Sequence, residues 1–322
     1  MSRYFIVGGA GFIGSHFCDR LLSAEGTSAV TIFDNFSSGR DWHIAHHGRD
    51  SRFRVVRGDV KDVEVLTAAT VGHDIIIHLA SNPDIARAVT EPDIDFREGT
   101  QLTNNVLEAM RRNGVMCILY ASGSGVYGDT GQLVVAEDYT PMRPISTYGA
   151  SKLAGEALIC SYSYMFDIRA LCFRFGNVVG PRQTHGVGFD FVRQLRADGT
   201  RLRILGNGRQ CKPYIHVSDV ISAVLWANDH VRDKFAIFNV ATNDTITVTD
   251  IANLACEVVG LNPNQVKYEY TGGDRGWKGD VPVVKLDISR IRALGWPGAR
   301  PSREALRLAL KELNDEATRG LI

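Results

Sequence analysis

Tyr148-Gly149-Ala150-Ser151-Lys152 sets a phenol and an ammonium four residues apart. On a helix that spacing puts both groups on one face. A cation beside a tyrosine favours the phenolate, so the phenol's pKa is expected to fall from its ordinary value of about 10. A phenolate nearer neutrality is a general base able to take a proton from a hydroxyl. Taken alone, the same spacing also describes an ordinary exposed helix pair, and the choice rests on what else the chain can hold.

The run Tyr4–Val7 leads into Gly8-Gly9-Ala10-Gly11-Phe12-Ile13-Gly14 and then a helical pattern. Gly8 permits a tight turn, Gly11 lets backbone approach a pyrophosphate, and Gly14 allows close packing of helix on strand. The helix N-terminus at Phe12 and Ile13 offers unpaired N–H groups and positive dipole to phosphates. Asp34 follows about 20 residues on, at the end of the second strand-like run. Its carboxylate accepts from ribose hydroxyls and repels a 2′-phosphate, so the site reads as one for NAD rather than NADP. Arg40 is the nearest charge that would soften this preference. Asp59, in Gly58-Asp59-Val60, either accepts from the adenine amino group or caps the next helix. An oxidised nicotinamide would add a second positive charge beside Tyr148.

These residues need a scaffold, and the chain supplies an alternating one. Strand-like runs at Tyr4–Val7, Ala29–Phe33, Phe53–Val56, Asp74–Leu79, Met116–Ala121 and Ile168–Phe173 are separated by helical patterns such as Phe12–Leu22, Leu102–Arg112 and Tyr148–Tyr162. Strands apolar on both faces and spaced by helices predict a Rossmann-type, doubly wound parallel α/β sheet, with ligands at the carboxyl ends of its strands. After about Phe175 the rhythm breaks into Gly- and Pro-containing loops. A helix at Val217–Asn228 and a strand at Phe235–Val240 read as a return to the first sheet. The expected division is residues 1–175 with 214–242 as an NAD-binding domain, and 176–213 with 243–322 as a smaller C-terminal α/β substrate lobe.

Composition narrows the function classes. The 322 residues are 44 % hydrophobic and 22 % charged, with 36 Lys plus Arg against 36 Asp plus Glu. That balance gives no global attraction to nucleic acid or an anionic membrane, so an anionic ligand must be held by local groups. The six cysteines are scattered with no C-x-x-C pair, which predicts neither a disulfide framework nor a structural zinc site; no metal ligands are read from the sequence. No apolar run approaches about 20 residues and no signal peptide is read, so a soluble cytoplasmic protein is expected.

In order, these motifs resemble the extended short-chain dehydrogenase/reductase family, specifically its nucleotide-sugar epimerases and dehydratases. The resemblance spans nearly the whole chain: the loop Gly8–Gly14, Asp34-Asn35-Phe36-Ser37-Ser38-Gly39, His78-Leu79-Ala80-Ser81, Val126-Tyr127-Gly128, Tyr148 with Lys152, Arg174 to Arg182, and Tyr214-Ile215-His216-Val217-Ser218-Asp219. It implies that Lys152 also holds the nicotinamide ribose. Asn35, Ser37, Ser38, Gly39, Val60, Leu79, Ala80 and Ser81 join the cofactor cleft. It further implies a nucleotide-sugar substrate whose phosphates meet Asn177 and are clamped by Lys212 and Arg275, with Lys278 a rival to Arg275. Where Lys212 stands the family usually has Arg, so a point charge replaces a bidentate fork. A homodimer is the family habit.

The family's shared opening step oxidises a sugar carbinol to a keto sugar. Its dehydratases add an Asp-Glu pair, and its decarboxylating members a Glu, where this chain has Ser122-Gly123-Ser124-Gly125-Val126-Tyr127. No carboxylate stands there, so NAD-dependent epimerisation of a nucleotide sugar leads, at C4 and with UDP favoured. A dehydratase or keto-sugar reductase is the alternative, and a non-catalytic NAD-sensing regulator the second. The family's proton-relaying Ser or Thr is replaced by Gly123. Ser124, Ser122 or direct transfer to Tyr148 must then do its work.

Overall fold

The computed structural model describes residues 1–322, and the chain divides into two compact units. The first comprises Met1–Val126, Thr147–Arg174 and Val224–Phe238. It is built on a seven-stranded sheet: β1 (Ser2–Val7), β2 (Thr27–Asp34), β3 (Phe53–Arg57), β4 (Ile75–His78), β5 (Cys117–Gly123), β6 (Arg169–Phe175) and the strand Phe235–Val240. From one edge the order is β3, β2, β1, β4, β5, β6 and then Phe235–Val240. The order reverses between β1 and β4, the switch point at which doubly wound sheets open a crevice for ligands.

Register decides which residues reach that crevice. Val7 of β1 pairs in parallel with Phe33 of β2 and with His78 of β4, and His78 pairs with Tyr120 of β5. Gly8, Asp34, Leu79 and Ala121 therefore stand at one level near the carboxyl ends of these strands. Strand interiors such as Phe5, Val7, Phe33, Ile76 and Ile118 are buried against Leu102, Val106, Leu107 and Ile159 of the flanking helices. Those helices are Gln101–Asn113 and Thr147–Phe166. The first stops at Gly114, whose φ of +65° lets Val115 N–H return to the Met110 carbonyl. The second lies close on β5, because at Gly155 a side chain would collide with the Tyr120 hydroxyl.

The second unit comprises Tyr127–Ser146, Phe175–Ala223 and Asn239–Ile322. Helices Val187–Ala197, Val248–Val258 and Ser302–Thr318 bury Phe191, Leu195, Ile251, Leu254, Leu306 and Leu310 in one core. Three two-stranded ladders accompany them: Asn177–Val179 with Tyr214–His216, Cys211–Lys212 with Ile246–Thr247, and Arg201–Ile204 with Lys267–Tyr270. The sequence division put residues 214–223 with the first domain. Here Tyr214–His216 pairs with Asn177–Val179, which keeps that stretch in the second unit.

Candidate active site

The glycine loop turns at Gly8, held at a φ of +85°, with its N–H on the Phe33 carbonyl oxygen at 2.9 Å. Helix Phe12–Leu22 starts hard against this turn, since a Cβ on Gly14 would lie 2.3 Å from the Gly8 carbonyl oxygen. The first bond at its N-terminus runs from Ser15 N–H to Gly11, so Phe12, Ile13 and Gly14 keep N–H groups outside the ladder. No side chain caps this end and no acid lies in its first turn. An anion fits there without competition.

Asp34 is buried beneath this loop. Its Oδ2 accepts from Ala10 N–H at 2.9 Å and its Oδ1 from Phe36 N–H at 2.7 Å. Each oxygen retains a second lone pair for a ribose hydroxyl. Burial raises its pKa, against the two backbone bonds and the Arg57 charge. The residues after it fold back on the loop. Ser37 N–H bonds Asn35 Oδ1 at 3.0 Å, Gly39 sits too close to Ala10 for a side chain, and Arg40 N–H reaches the Ala10 carbonyl at 3.1 Å. Arg40's guanidinium is turned to the Gly39 carbonyl.

Asp59 takes Lys61 N–H on Oδ1 at 2.9 Å and Asn35 Nδ2 on Oδ2 at 3.3 Å. It does not cap the next helix. Helix Val63–Thr70 is capped by Asp62, which accepts from Val65 N–H, because Asp59 lies a full turn too early. Val60 is buried, with its carbonyl on Asn105 Nδ2. Leu79 and Ala80 both donate to the Val7 carbonyl, and Ala80 N stands 3.0 Å from where a Cβ of Gly8 would be. The uncapped helix end, the left-handed Gly8 and the spare lone pairs of Asp34 together fit a bound NAD.

Tyr148 is the second residue of helix Thr147–Phe166, and Lys152 lies one turn on. Lys152 is buried. Its Nζ donates to the Ala121 carbonyl at 2.8 Å and lies 5.5 Å from the Tyr148 ring centre. Burial brings the ammonium down to about 8, with Asp95 and Glu156 holding it up against a larger fall. The Tyr148–Lys152 spacing predicts a phenol lowered by its cation. Instead burial raises the phenol, the Asp95 charge adds to the rise, and only a hydrogen bond with Ser81 works the other way. The lysine spends its directed bond on Ala121 rather than on the phenol oxygen.

The two hydroxyl candidates separate cleanly. Ser122 Oγ bonds Glu156 Oε1 at 2.5 Å, and Glu156 is gripped by Arg174 through two bonds of 2.9 and 2.7 Å, all in the interior. Ser122 is thus turned into a buried ion pair. Gly123 faces open space, where an added Cβ would meet nothing within 4 Å. Ser124 opens the turn Ser124–Tyr127 and is half-buried. That turn lies on the helix bearing Tyr148, since a Cβ on Gly125 would be 3.4 Å from Gly149 Cα.

Sequence reasoning missed a buried polar group here. Asp95, 1 % exposed, accepts from Asn82 Nδ2 at 2.9 Å and from Thr147 Oγ at 2.6 Å. It is the carboxylate whose field reaches both Tyr148 and Lys152. Among Glu91, Asp93 and Asp95 nothing in the sequence marks it out. His78, in a motif already quoted, is fully buried with Nε2 on Thr103 at 3.2 Å and is pushed down to about 3 by burial, then by Lys152. It is neutral.

In the second unit, Asn177 N–H bonds the Pro213 carbonyl at 3.1 Å. Lys212 Nζ meets Asp280 Oδ1 at 2.5 Å. Arg275 bonds the Asp280 carbonyl and, at 2.7 Å, Asp129 Oδ2. Lys212 and Arg275 thus converge on Asp280, while Lys278 is exposed. Both cations carry carboxylate partners that the sequence reading did not foresee.

The profile of the NAD dependent epimerase/dehydratase family matches residues 4–241. A UDP-glucose 4-epimerase of Mycolicibacterium smegmatis is 31 % identical over 301 residues, covering 91 % of this chain and 93 % of the relative. A solved UDP-galactose 4-epimerase superposes with a TM-score of 0.86 at 35 % identity, over 98 % of this chain and 99 % of its own. A UDP-glucose 4-epimerase from Thermotoga maritima, solved with UDP-glucose, gives 0.85 at 28 %, with the same coverage. With the glycine loop, Asp34 and the Tyr148–Lys152 pair gathered at one end of the sheet, the chain belongs to the NAD-dependent epimerase/dehydratase family and is an enzyme whose cofactor is NAD.

Proposed function

We propose that the enzyme epimerises a nucleotide-linked sugar, at C4 and with UDP as the favoured carrier. The observation that carries this reading is the placement of Tyr148, Lys152 and the Ser124 turn around the carboxyl end of β5, with no carboxylate in Ser122–Tyr127 to drive elimination. The first unit is the NAD domain and the second the nucleotide-sugar lobe.

The positive charges of Lys152 and of bound NAD would offset the burial of Tyr148 and favour its phenolate, which takes the proton of the sugar hydroxyl through Ser124, the half-buried hydroxyl beside its helix. Ser122 is committed to Glu156 and serves the strand end instead. NAD, when bound, supplies the hydride acceptor and later the hydride donor. Lys152 holds the nicotinamide ribose and keeps a positive charge near Tyr148. The keto sugar then turns about its pyrophosphate tether and is reduced on its other face. Asn177, Lys212 and Arg275 hold the phosphates, which means that Lys212 and Arg275 exchange Asp280 and Asp129 for phosphate oxygens.

The protein works as a cytoplasmic homodimer. Free cysteines throughout and no helix long and apolar enough to cross a membrane support the location. Phe96, Tyr164 and Met165, at 62, 67 and 71 % exposure on neighbouring helical segments of the first unit, support self-association. NMR of UDP-, GDP-, CDP- and dTDP-sugars incubated with the enzyme tests the function. Two C4 epimers reaching equilibrium without net change in reduced-cofactor absorbance is the expected result. Loss of water, stoichiometric cofactor turnover, or NAD binding without turnover would each replace it with an alternative.

A further inference from the structure

Helix Phe12–Leu22 carries a second group of reactive side chains, past its phosphate-facing end. His16 and Asp19 stand one turn apart, with Nδ1 and Oδ2 separated by 3.7 Å. His46 and His47, consecutive in the tight turn Ala45–His47, both bring Nε2 to 2.7 Å from Asp19 Oδ1. Their rings lie 3.9 Å apart, and the donor atoms of Asp19, His46 and His47 all fall within 4.8 Å of one another. The turn is pinned by bonds from Gly48 N–H to Ala45 and from Asp50 N–H to His47, and His47 packs on Phe53.

We propose that Asp19, His46 and His47 bind a divalent transition-metal ion of the zinc class. Imidazoles with one carboxylate form the nitrogen-and-oxygen set that suits zinc, whereas magnesium and calcium demand oxygen alone. Ligands about 2.0–2.1 Å from a tetrahedral ion stand about 3.4 Å from each other. The two 2.7 Å contacts need to open by less than about 1 Å, a small rotation for a half-exposed His46. Two consecutive histidines reaching one carboxylate oxygen is a geometry that a shared cation explains directly, and the exposure of His46 gives the ion a route in. The ion would clip helix Phe12–Leu22 to the segment that follows the Asp34–Gly39 loop. Its role is structural, since none of the residues around Tyr148 takes part.

The test uses the full-length, tag-free protein after treatment with a chelator. Titration with cobalt(II) chloride should give visible absorption bands of tetrahedral intensity that saturate at one equivalent. One equivalent of zinc chloride should erase them, and magnesium chloride should not. By calorimetry, Asp19→Asn and His46→Ala should each weaken zinc at least tenfold. Absence of saturable cobalt or zinc uptake by the wild type overturns the proposal and leaves a hydrogen-bonded imidazole–carboxylate cluster. Uptake unchanged by both substitutions overturns it equally. Should a variant fail to fold by circular dichroism, diethyl pyrocarbonate labelling of the wild type decides. One equivalent of zinc must protect His46 and His47, and unprotected rings sink the site.

Discussion

The ammonium of Lys152 donates to the carbonyl oxygen of Ala121 across 2.8 Å, one residue before Ser122. Helix Thr147–Phe166 is thereby tied to the end of β5, and Tyr148, one turn earlier, is fixed relative to the turn that follows the strand. The bond also explains why the lysine is buried while still protonated. A carbonyl dipole and two nearby carboxylates, Asp95 and Glu156, face it.

Tyr148→Phe is expected to lower kcat by about 10²–10⁴-fold with NAD binding retained, because it removes the proton acceptor and, with it, only the hydrogen bond to Ser81. Steady-state kinetics beside calorimetric NAD titration check both halves. Activity within about threefold of wild type would remove Tyr148 from the mechanism.

Lys152 gives a pH signature with a definite sign. Its pKa falls from 10.5 in the unfolded chain to about 8 in the folded protein. Between those values the unfolded state binds more protons, so this group makes stability rise with pH from about 8 to 10.5. Below that window both states are charged and the full burial penalty is present. Lys152→Met should therefore flatten the rise. Chemical denaturation of wild type and variant at pH 7, 8, 9 and 10 measures it, and parallel profiles would contradict the assignment.

Asp34→Ala should relax the preference for NAD over NADP and also lower stability, since Ala10 and Phe36 N–H groups lose their acceptor. Titrations with each cofactor separate the two effects, because loop loosening alone weakens both cofactors equally. A wild-type protein that already prefers NADP would refute this reading of Asp34.

Ser124→Ala is expected to cost at least about tenfold in kcat, and Ser122→Ala much less. Ser122→Ala should instead cost stability by about 1–3 kcal/mol, because it takes a hydrogen bond from a buried carboxylate. Kinetics and urea melts of the two variants should show this crossed pattern. Gly123→Ser has room for its side chain. A gain in activity from it would mark the glycine as a deficit.

The alternation of apolar runs and helical patterns carried the sheet into view, because strands buried on both faces leave long, unbroken apolar signatures. The glycine loop was readable for a different reason: its positions answer to backbone geometry, which few other residues satisfy. The ladders of the second unit were not readable. Strands such as Cys211–Lys212 and Ile246–Thr247 are two residues long, too short for any period to emerge. Asp95 escaped because its burial depends on where the chain folds back, and an acid between Pro92 and a helix looks like a solvated one. The carboxylate partners of Lys212 and Arg275 were invisible on the same grounds, since Asp280 and Asp129 are distant in sequence or unmarked within a loop.

Ser122, Glu156 and Arg174 belong to a strand end, a helix and a neighbouring strand, yet their side chains are joined in the interior. Removing Glu156 or Arg174 alone strands its partner's charge, at a cost of about 3–5 kcal/mol. Replacing both by apolar groups of matching volume can be nearly neutral. These positions are therefore epistatic. Substitutions that are each strongly destabilising singly become tolerable as a set, and the barrier to drift at the base of the Ser124 turn is one of mutational order rather than of chemistry.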